Sequence, residues 1–273
     1  MKFHYSASPE TTNSMTTEQL RDTYLIKGLF QPGQLVAHYT DLDRMIVLGV
    51  SPAGAPLALP NDPKSTGTSY FLERREIGIL NTSANPGAVT VSGAKYELGH
   101  LDCLYIGLGE KDVTFEGAAQ FYCISTPAHA KHPTAVMRGD DIKTDPIGDP
   151  ANANRRVIRR YIHGGGIKSC QLVMGCTTLE SGSIWNTMPS HTHSRRTEIY
   201  LYFDVQPGQM VVHLMGEPQR TRNLIVHDRD VVLSPAWSIH SGAGTASYRF
   251  VWAMGGDNQT FEDMDAVAIK DMR

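Results

Sequence analysis

HTHSRRTEIYLYF, residues His191 to Phe203, decides how this chain is read. Its second half, EIYLYF, is rich in β-branched, aliphatic and aromatic residues and reads as a strand. Its first half sets His191 and His193 two apart, so both point to one face of an extended segment. Glu198 follows five residues after His193 with the opposite parity. A bend or bulge between Ser194 and Thr197 is therefore needed to turn it inward. A fourth polar group, His240, closes the stretch DVVLSPAWSIH and is expected in another strand. Three imidazoles and one carboxylate converging inside a barrel suit a divalent metal, and spacing alone leaves zinc, iron, manganese and nickel open.

Outward from this segment, most of the chain reads as short strands. RMIVLGV, AVTVSG, CLYIGLG, QLVMGCTTL, QMVVHLM and YRFVWAM are each closed by Gly, Pro, Asn or Asp, a spacing that suggests a sandwich or barrel. One helix is expected from Thr16 to Lys27, where Thr16 and Gln19 form a capping box and Gly28 follows. A weaker one is expected from Phe261 to Ala268. The polar stretch from Arg138 to Arg156 has no apolar period and reads as a linker. On either side of it the halves echo each other. YFLERREIGIL matches HTHSRRTEIYLYF, pairing Glu76 with Glu198, and GHLDCLYIGLGEKD matches HDRDVVLSPAWSIH. The offset grows from 122 to 128 residues, which a longer hairpin around EPQRTR explains. A duplicated β-domain follows. Residues 1–137 form one copy, 138–156 the linker and 157–273 the other. In the first copy Ser69, Phe71 and Asp112 stand where the three histidines should be, so that half is expected to hold no metal.

Hydrophobic residues make up 41% of the 273, enough for a sizeable core. A net charge of −3 and the lack of a basic, aromatic-laced run argue against nucleic acid. MKFHYSASPE lacks the apolar stretch of a secretory signal, and no run is long enough to span a bilayer. The four cysteines, Cys103, Cys123, Cys170 and Cys176, show no CxxC spacing and read as buried free thiols of a cytoplasmic protein. The other eight histidines (His4, His38, His100, His129, His132, His163, His213 and His227) are expected to be ordinary polar residues.

HTHSRRTE fits the first motif of the cupin superfamily, and PAWSIHSGAG keeps Pro235 and His240 of the second. Trp237 and Gly244 stand where that motif has glycine and asparagine, and the glycine expected after Glu198 arrives only at Gly208. The resemblance implies an all-β bicupin, two double-stranded β-helix (jelly-roll) barrels with few short helices. SYFLERREIG, IWNTMPSHTHSRRTEIY, SPAWSIHSGAGT and the tail FEDMDAVAIKDMR carry a closer resemblance, over nearly the whole chain, to the 5-keto-4-deoxyuronate isomerase family. Membership would imply a cytoplasmic homohexamer of pectin and uronate breakdown that interconverts 5-dehydro-4-deoxy-D-glucuronate and 3-deoxy-D-glycero-2,5-hexodiulosonate. It would also imply one Zn2+ per chain on His191, His193, Glu198 and His240.

The chemistry agrees. A ketol-isomerase moves a proton between adjacent carbons, a divalent cation stabilises the enediolate that develops, and a base that is not a metal ligand carries the proton. Tyr200 and Tyr202 share the parity of Glu198 and are the candidate proton-handling groups, with aromatic filling of the barrel as the plain alternative. Arg195 and Arg196 suit the substrate carboxylate, although Arg74 and Arg75 in the other half point to a structural role for at least one. Trp185 and Met188 are candidates for the pocket mouth, with core filling as the plain alternative. Asp263 and Asp265 are candidates to close over a site, with a solvated helix face as the plainer reading. The spacing does not exclude Fe2+ or Mn2+, so a cupin Fe(II) dioxygenase or a non-catalytic sugar-binding bicupin stands as the alternative.

Overall fold

The computed structural model describes residues 1–142, 144–257, 260 and 263–273, and the β-branched and aromatic runs form strands in it. Eight lie between Ile46 and Pro127: β1 (Ile46–Ser51), β2 (Leu57–Ala58), β3 (Arg75–Asn81), β4 (Gly87–Val91), β5 (Ala94–Leu98), β6 (Cys103–Ile106), β7 (Val113–Gly117) and β8 (Phe121–Pro127). Eight more lie between Val173 and Gly256: β9 (Val173–Leu179), β10 (Trp185–Asn186), β11 (Arg196–Phe203), β12 (Val211–Glu217), β13 (Arg220–Val226), β14 (Val231–Ser234), β15 (Ser241–Gly244) and β16 (Arg249–Gly256). The first set pairs as β1-β8-β3-β6 and β2-β7-β4-β5, and the second repeats the order as β9-β16-β11-β14 and β10-β15-β12-β13. That order is the eight-stranded jelly roll. The fold is all-β with two such barrels, as the cupin resemblance implies, and the second hairpin is the longer, with seven residue pairs against five.

The chain forms two compact units. One comprises Met1–His4, Leu29–Lys143 and Arg160–Met174, and the other Tyr5–Gly28, Thr144–Arg159 and Gly175–Arg273. In the first unit the core lies between the two sheets. Ile46, Leu48, Ile77, Ile79, Leu104 and Cys123 of the larger sheet meet Val89, Val91, Val113 and Phe115 of the smaller. Two of the expectations for helices need correction. The capping box of Thr16 and Gln19 is present, but the helix covers Thr17–Tyr24, because Leu25–Ile26 pairs with β14 as an edge strand. Of the tail helix, residues 261 and 262 lie outside the described residues, and Asp265–Ala266 is a strand. Among the described residues no helix is long and apolar enough to cross a membrane. Cys103, Cys123 and Cys176 are buried free thiols, whereas Cys170 is only half-buried, with its Sγ 3.2 Å from His129 Nδ1.

The pairing of Glu76 with Glu198 also fails, for a reason of strand parity. Ile77 and Ile79 face the barrel core, so Glu76 and Gly78 face the other way. A strand slipped by one residue turns every side chain over, and the extra Thr197 after the second arginine pair supplies that slip. Glu76 is nonetheless fully buried. Its Oε1 accepts from Thr126 Oγ1 (3.0 Å), Gln171 N (2.7 Å) and Leu172 N (2.8 Å). Its Oε2 accepts from the Tyr105 hydroxyl and Cys170 N, each at 2.7 Å. Charge-assisted bonds of this kind tie the 170–172 turn to β3. Glu76→Ala strands these donors, so chemical denaturation is expected to show a loss of about 3 kcal/mol or more, with metal binding unchanged.

Candidate metal centre

Each of the four predicted ligands is delivered by a different local device. His191 lies on a two-residue strand, His191–Thr192, that pairs with Asp265–Ala266 of the tail. A turn at Ser194–Arg195 separates it from β11. That turn reverses the parity and brings Glu198 inward, as the spacing required. His193 is held by its own N–H, which donates to Ala236 O at 3.1 Å. His240 does not lie in a strand. It ends the loop between β14 and β15, which is stitched to β12 where Ser238 Oγ accepts from Gly216 N (2.9 Å) and Ile239 N donates to Gly216 O (3.0 Å). Gly216 has φ +95°, and a Cβ there would stand 2.8 Å from Arg220 O, so this contact needs glycine.

The four side chains converge at their tips. His193 Nε2 and His240 Nε2 each lie 2.9 Å from Glu198 Oε2. His191 Nε2 lies 3.2 Å from His193 Nε2 and 3.0 Å from His240 Nε2. The opposite ring nitrogens point away from the centre: His193 Nδ1 donates to Asp263 O at 2.6 Å, and His240 Nδ1 faces Ser238 O at 3.3 Å. Outward Nδ1–H groups leave the Nε2 lone pairs facing inward, the arrangement of metal-ligating histidines. Burial, then the neighbouring His240, pushes His191 down to about 3. Burial alone would raise the Glu198 carboxyl, but the His240 and His193 imidazoles outweigh it and hold the group well below the usual carboxylate range. A cation with bonds of about 2.0–2.2 Å separates its ligand atoms by roughly 3.3–3.6 Å, within about half an ångström of the spacing here. An ionised carboxylate and this convergence of imidazole nitrogens fit a divalent metal. Among the described residues this is the group of His, Cys, Asp or Glu that can hold one.

Residues 56–271 match the KduI/IolB family. The chain belongs to that family. It is 66% identical, over all of both chains, to 4-deoxy-L-threo-5-hexosulose-uronate ketol-isomerase of Opitutus terrae, and 48% identical, again over all of both, to that of Kineococcus radiotolerans. Its fold is similar to the crystal structure of an IolB-like protein from Salmonella typhimurium LT2, with TM-score 0.70 and 14% identity over 89% of this chain and 96% of that one. It also resembles oxalate decarboxylase of Lactobacillus farciminis, with TM-score 0.52 and 9% identity over 82% and 79%.

The other predicted residues of this KduI/IolB member divide by position. Tyr200 and Tyr202 follow Glu198 on the inward side of β11 and are buried, with Tyr200 5.6 Å from His240 between ring centroids. Arg195 is half-exposed and binds the Asp263 carboxylate through Nε and Nη2. Arg196 is buried, and its Nη2 donates to Asp263 O at 3.1 Å. Asp263 and Asp265 therefore do not form a solvated helix face. Asp263 accepts from His193, Arg195 and Arg196, and Asp265 Oδ2 accepts from Ser194 Oγ at 2.7 Å. Trp185 takes the face opposite to Asn186 and lines a cleft of about 590 Å3 with Met188, Leu214, Ile269 and Met272.

Three residues near the centre were not singled out from sequence. His213 was grouped with the ordinary histidines but is fully buried, with its Nδ1 2.7 Å from the Tyr202 hydroxyl. Asn186 and Thr187 hold the Tyr202 and Tyr200 hydroxyls at 3.3 and 2.9 Å. Thr187 does so at φ +49°, strained for a β-branched residue. His4 and His38, also read as ordinary, form a buried pair 2.9 Å apart. The signal missed for His213 was its place in the alternation Val211, His213, Met215, which marks an inward face.

Deleting residues 261–273 removes the carbonyl that orients His193, so chelator competition is expected to show metal affinity lower by about 10- to 100-fold. Burial also pushes His213 down to about 3. Its unfolded value lies near 6.5, so the unfolded chain binds the proton first. Stability of the metal-free protein is thus complete above pH about 6.5 and falls on acidification toward about 3, by up to about 1.4 kcal/mol per pH unit for this one group. Urea midpoints between pH 7 and 4 check this, and His213→Phe should flatten the slope.

Proposed function

We propose that this chain is a ketol-isomerase interconverting 5-dehydro-4-deoxy-D-glucuronate and 3-deoxy-D-glycero-2,5-hexodiulosonate in uronate and pectin breakdown. One zinc per chain is held by His191, His193, Glu198 and His240. The observation that carries the reading is the convergence of three imidazoles and one carboxylate at 2.9–3.2 Å. It occurs in a chain aligned end to end with relatives that bear the isomerase name. Zinc is favoured over iron and manganese because a reducing sugar must not be oxidised. When bound, such a cation polarises the substrate carbonyl and stabilises the negative charge that develops as the neighbouring C–H proton leaves.

The chain's own groups bind and orient the substrate. Burial holds the Tyr200 and Tyr202 phenols well above their usual range, so neither is a phenolate, and Tyr200 enters the reaction as an O–H donor. Thr187 fixes the direction of the first and Asn186 that of the second. We assign the sugar carboxylate to Arg195, half-exposed in the turn beside His193, with Arg196 securing the Asp263 carbonyl behind that histidine. Trp185 belongs to the outer approach. The first barrel, residues 1–137, is the metal-free partner of the catalytic one, 157–273. A homohexamer in the cytoplasm completes the proposal.

The test is isomerisation of the freshly made 5-dehydro-4-deoxyuronate by zinc-loaded wild type and His193→Ala. Expected are about one zinc per chain and a loss of roughly a thousandfold in the variant. No turnover by folded, zinc-replete wild type would sink the reading, and oxygen uptake with Fe2+ would then be measured.

A further inference from the structure

β12 turns Val211, His213 and Met215 inward, and His213 stands across from Gly242 on β15, two residues after His240. That glycine makes room, because a Cβ there would lie 2.8 Å from Asn186 Nδ2 and 2.9 Å from the Tyr202 hydroxyl. One phenol ring, Tyr200, meets both imidazoles edge-on, at 5.6 Å from His240 and 5.8 Å from His213. His213 is thus separated from a metal ligand by a single side chain.

The protons around it can be assigned in order. The Asn186 amide donates to the Tyr248 hydroxyl at 2.7 Å and to the Tyr202 hydroxyl at 3.3 Å. Tyr202 accepts there and gives its own proton to His213 Nδ1 at 2.7 Å. A neutral ring that accepts at Nδ1 carries its hydrogen at Nε2. This Nε2, on a fully buried side chain, has no partner among the described residues, and neither has Asn186 Oδ1. Burying an open donor and an open acceptor destabilises a resting fold. An apolar side chain would fill this space among Tyr200, Tyr202, Tyr248 and Phe250 at less cost. A sugar oxygen, by contrast, offers the acceptor that Nε2–H needs.

We infer that His213 contacts the substrate: its Nε2–H donates to an oxygen of the sugar acid held at the metal ligands, and Asn186 and Tyr202 act as positioning residues that keep the ring in this tautomer. The inference rests on the isomerase reading and adds to it a polar contact inside the barrel, opposite the metal side.

The experiment compares zinc-loaded wild type, His213→Phe and His213→Gln, the last keeping an N–H near the Nε2 position. The Phe variant is expected to lose about a hundredfold in kcat/KM, with zinc content intact and Tm equal to or above wild type. The Gln variant should recover at least about tenfold of that loss. A purely structural histidine would give the opposite pattern, a lower Tm with kcat/KM per folded molecule within about threefold of wild type, and that result overturns the inference. So does a Gln variant that folds yet performs no better than Phe. Should His213→Phe not fold, His213→Leu takes its place and is read against the Gln variant by the same criteria. Calorimetry with D-gluconate, an open-chain hydroxy acid of six carbons, separates the two readings. Gluconate binding about tenfold weaker in Phe but not in Gln supports the contact even where wild type fails to turn over the uronate. Such a failure of turnover counts against the isomerase reading alone.

Discussion

Glu198 is a carboxylate buried in a barrel, and the second unit depends on how its charge is met. Water is excluded, so the charge must be met within the site, where His193 and His240 stand 2.9 Å away and their inward Nε2 atoms could share a cation with it. Those imidazoles hold the carboxyl ionised against the burial that opposes it. In return, the rings must sit with their Nε2 atoms inward, which demands acceptors behind them. Asp263 O behind His193 meets that demand and draws the tail into the site. The short strand of Asp265–Ala266 and the Arg195–Asp263 ion pair follow from the same requirement.

The two barrels show that one topology supports opposite solutions to a buried acid. In the first, Glu76 leaves the core face and is satisfied by three main-chain N–H groups and two hydroxyls. Five donors on one carboxylate leave it no capacity to bind a cation, and the barrel interior there is closed with Ile, Leu, Val and Phe. In the second, the acid faces inward among imidazoles and tyrosines, a polar interior that a packed hydrophobic core would outcompete for stability. Asn186 Oδ1, without a partner among the described residues, and the left-handed Thr187 belong to the same unit. The first barrel has such features too, a left-handed Leu101 and a buried Tyr122 hydroxyl with no partner among the described residues, so they do not by themselves mark a site.

The site also separates ionised from neutral groups by environment. Glu198 is charged, whereas His191, His213, Tyr200 and Tyr202 are all driven to their neutral forms by burial. A neutral, hydrogen-bonding wall around one anionic ligand group suits a reaction in which a proton moves over the substrate while the net charge of the pocket stays constant.

By itself the sequence determined the strands and the four side chains that converge, because each depends on short-range pattern. The period of two marks a strand, HxH marks a shared face, and the Ser194–Arg195 turn is demanded by the parity of Glu198 alone. The jelly-roll order could be inferred only through resemblance, since nothing local says which strands pair. Tertiary structure decided the remainder. It turned Glu76 to the opposite face, because burial and not sequence alignment sets strand register. It brought Asp263 behind His193 across 70 residues, a contact without a local signature. It also buried His213 beside Tyr202, because a histidine's role depends on which side chains the barrel closes around it, and that closure is a property of the whole sheet.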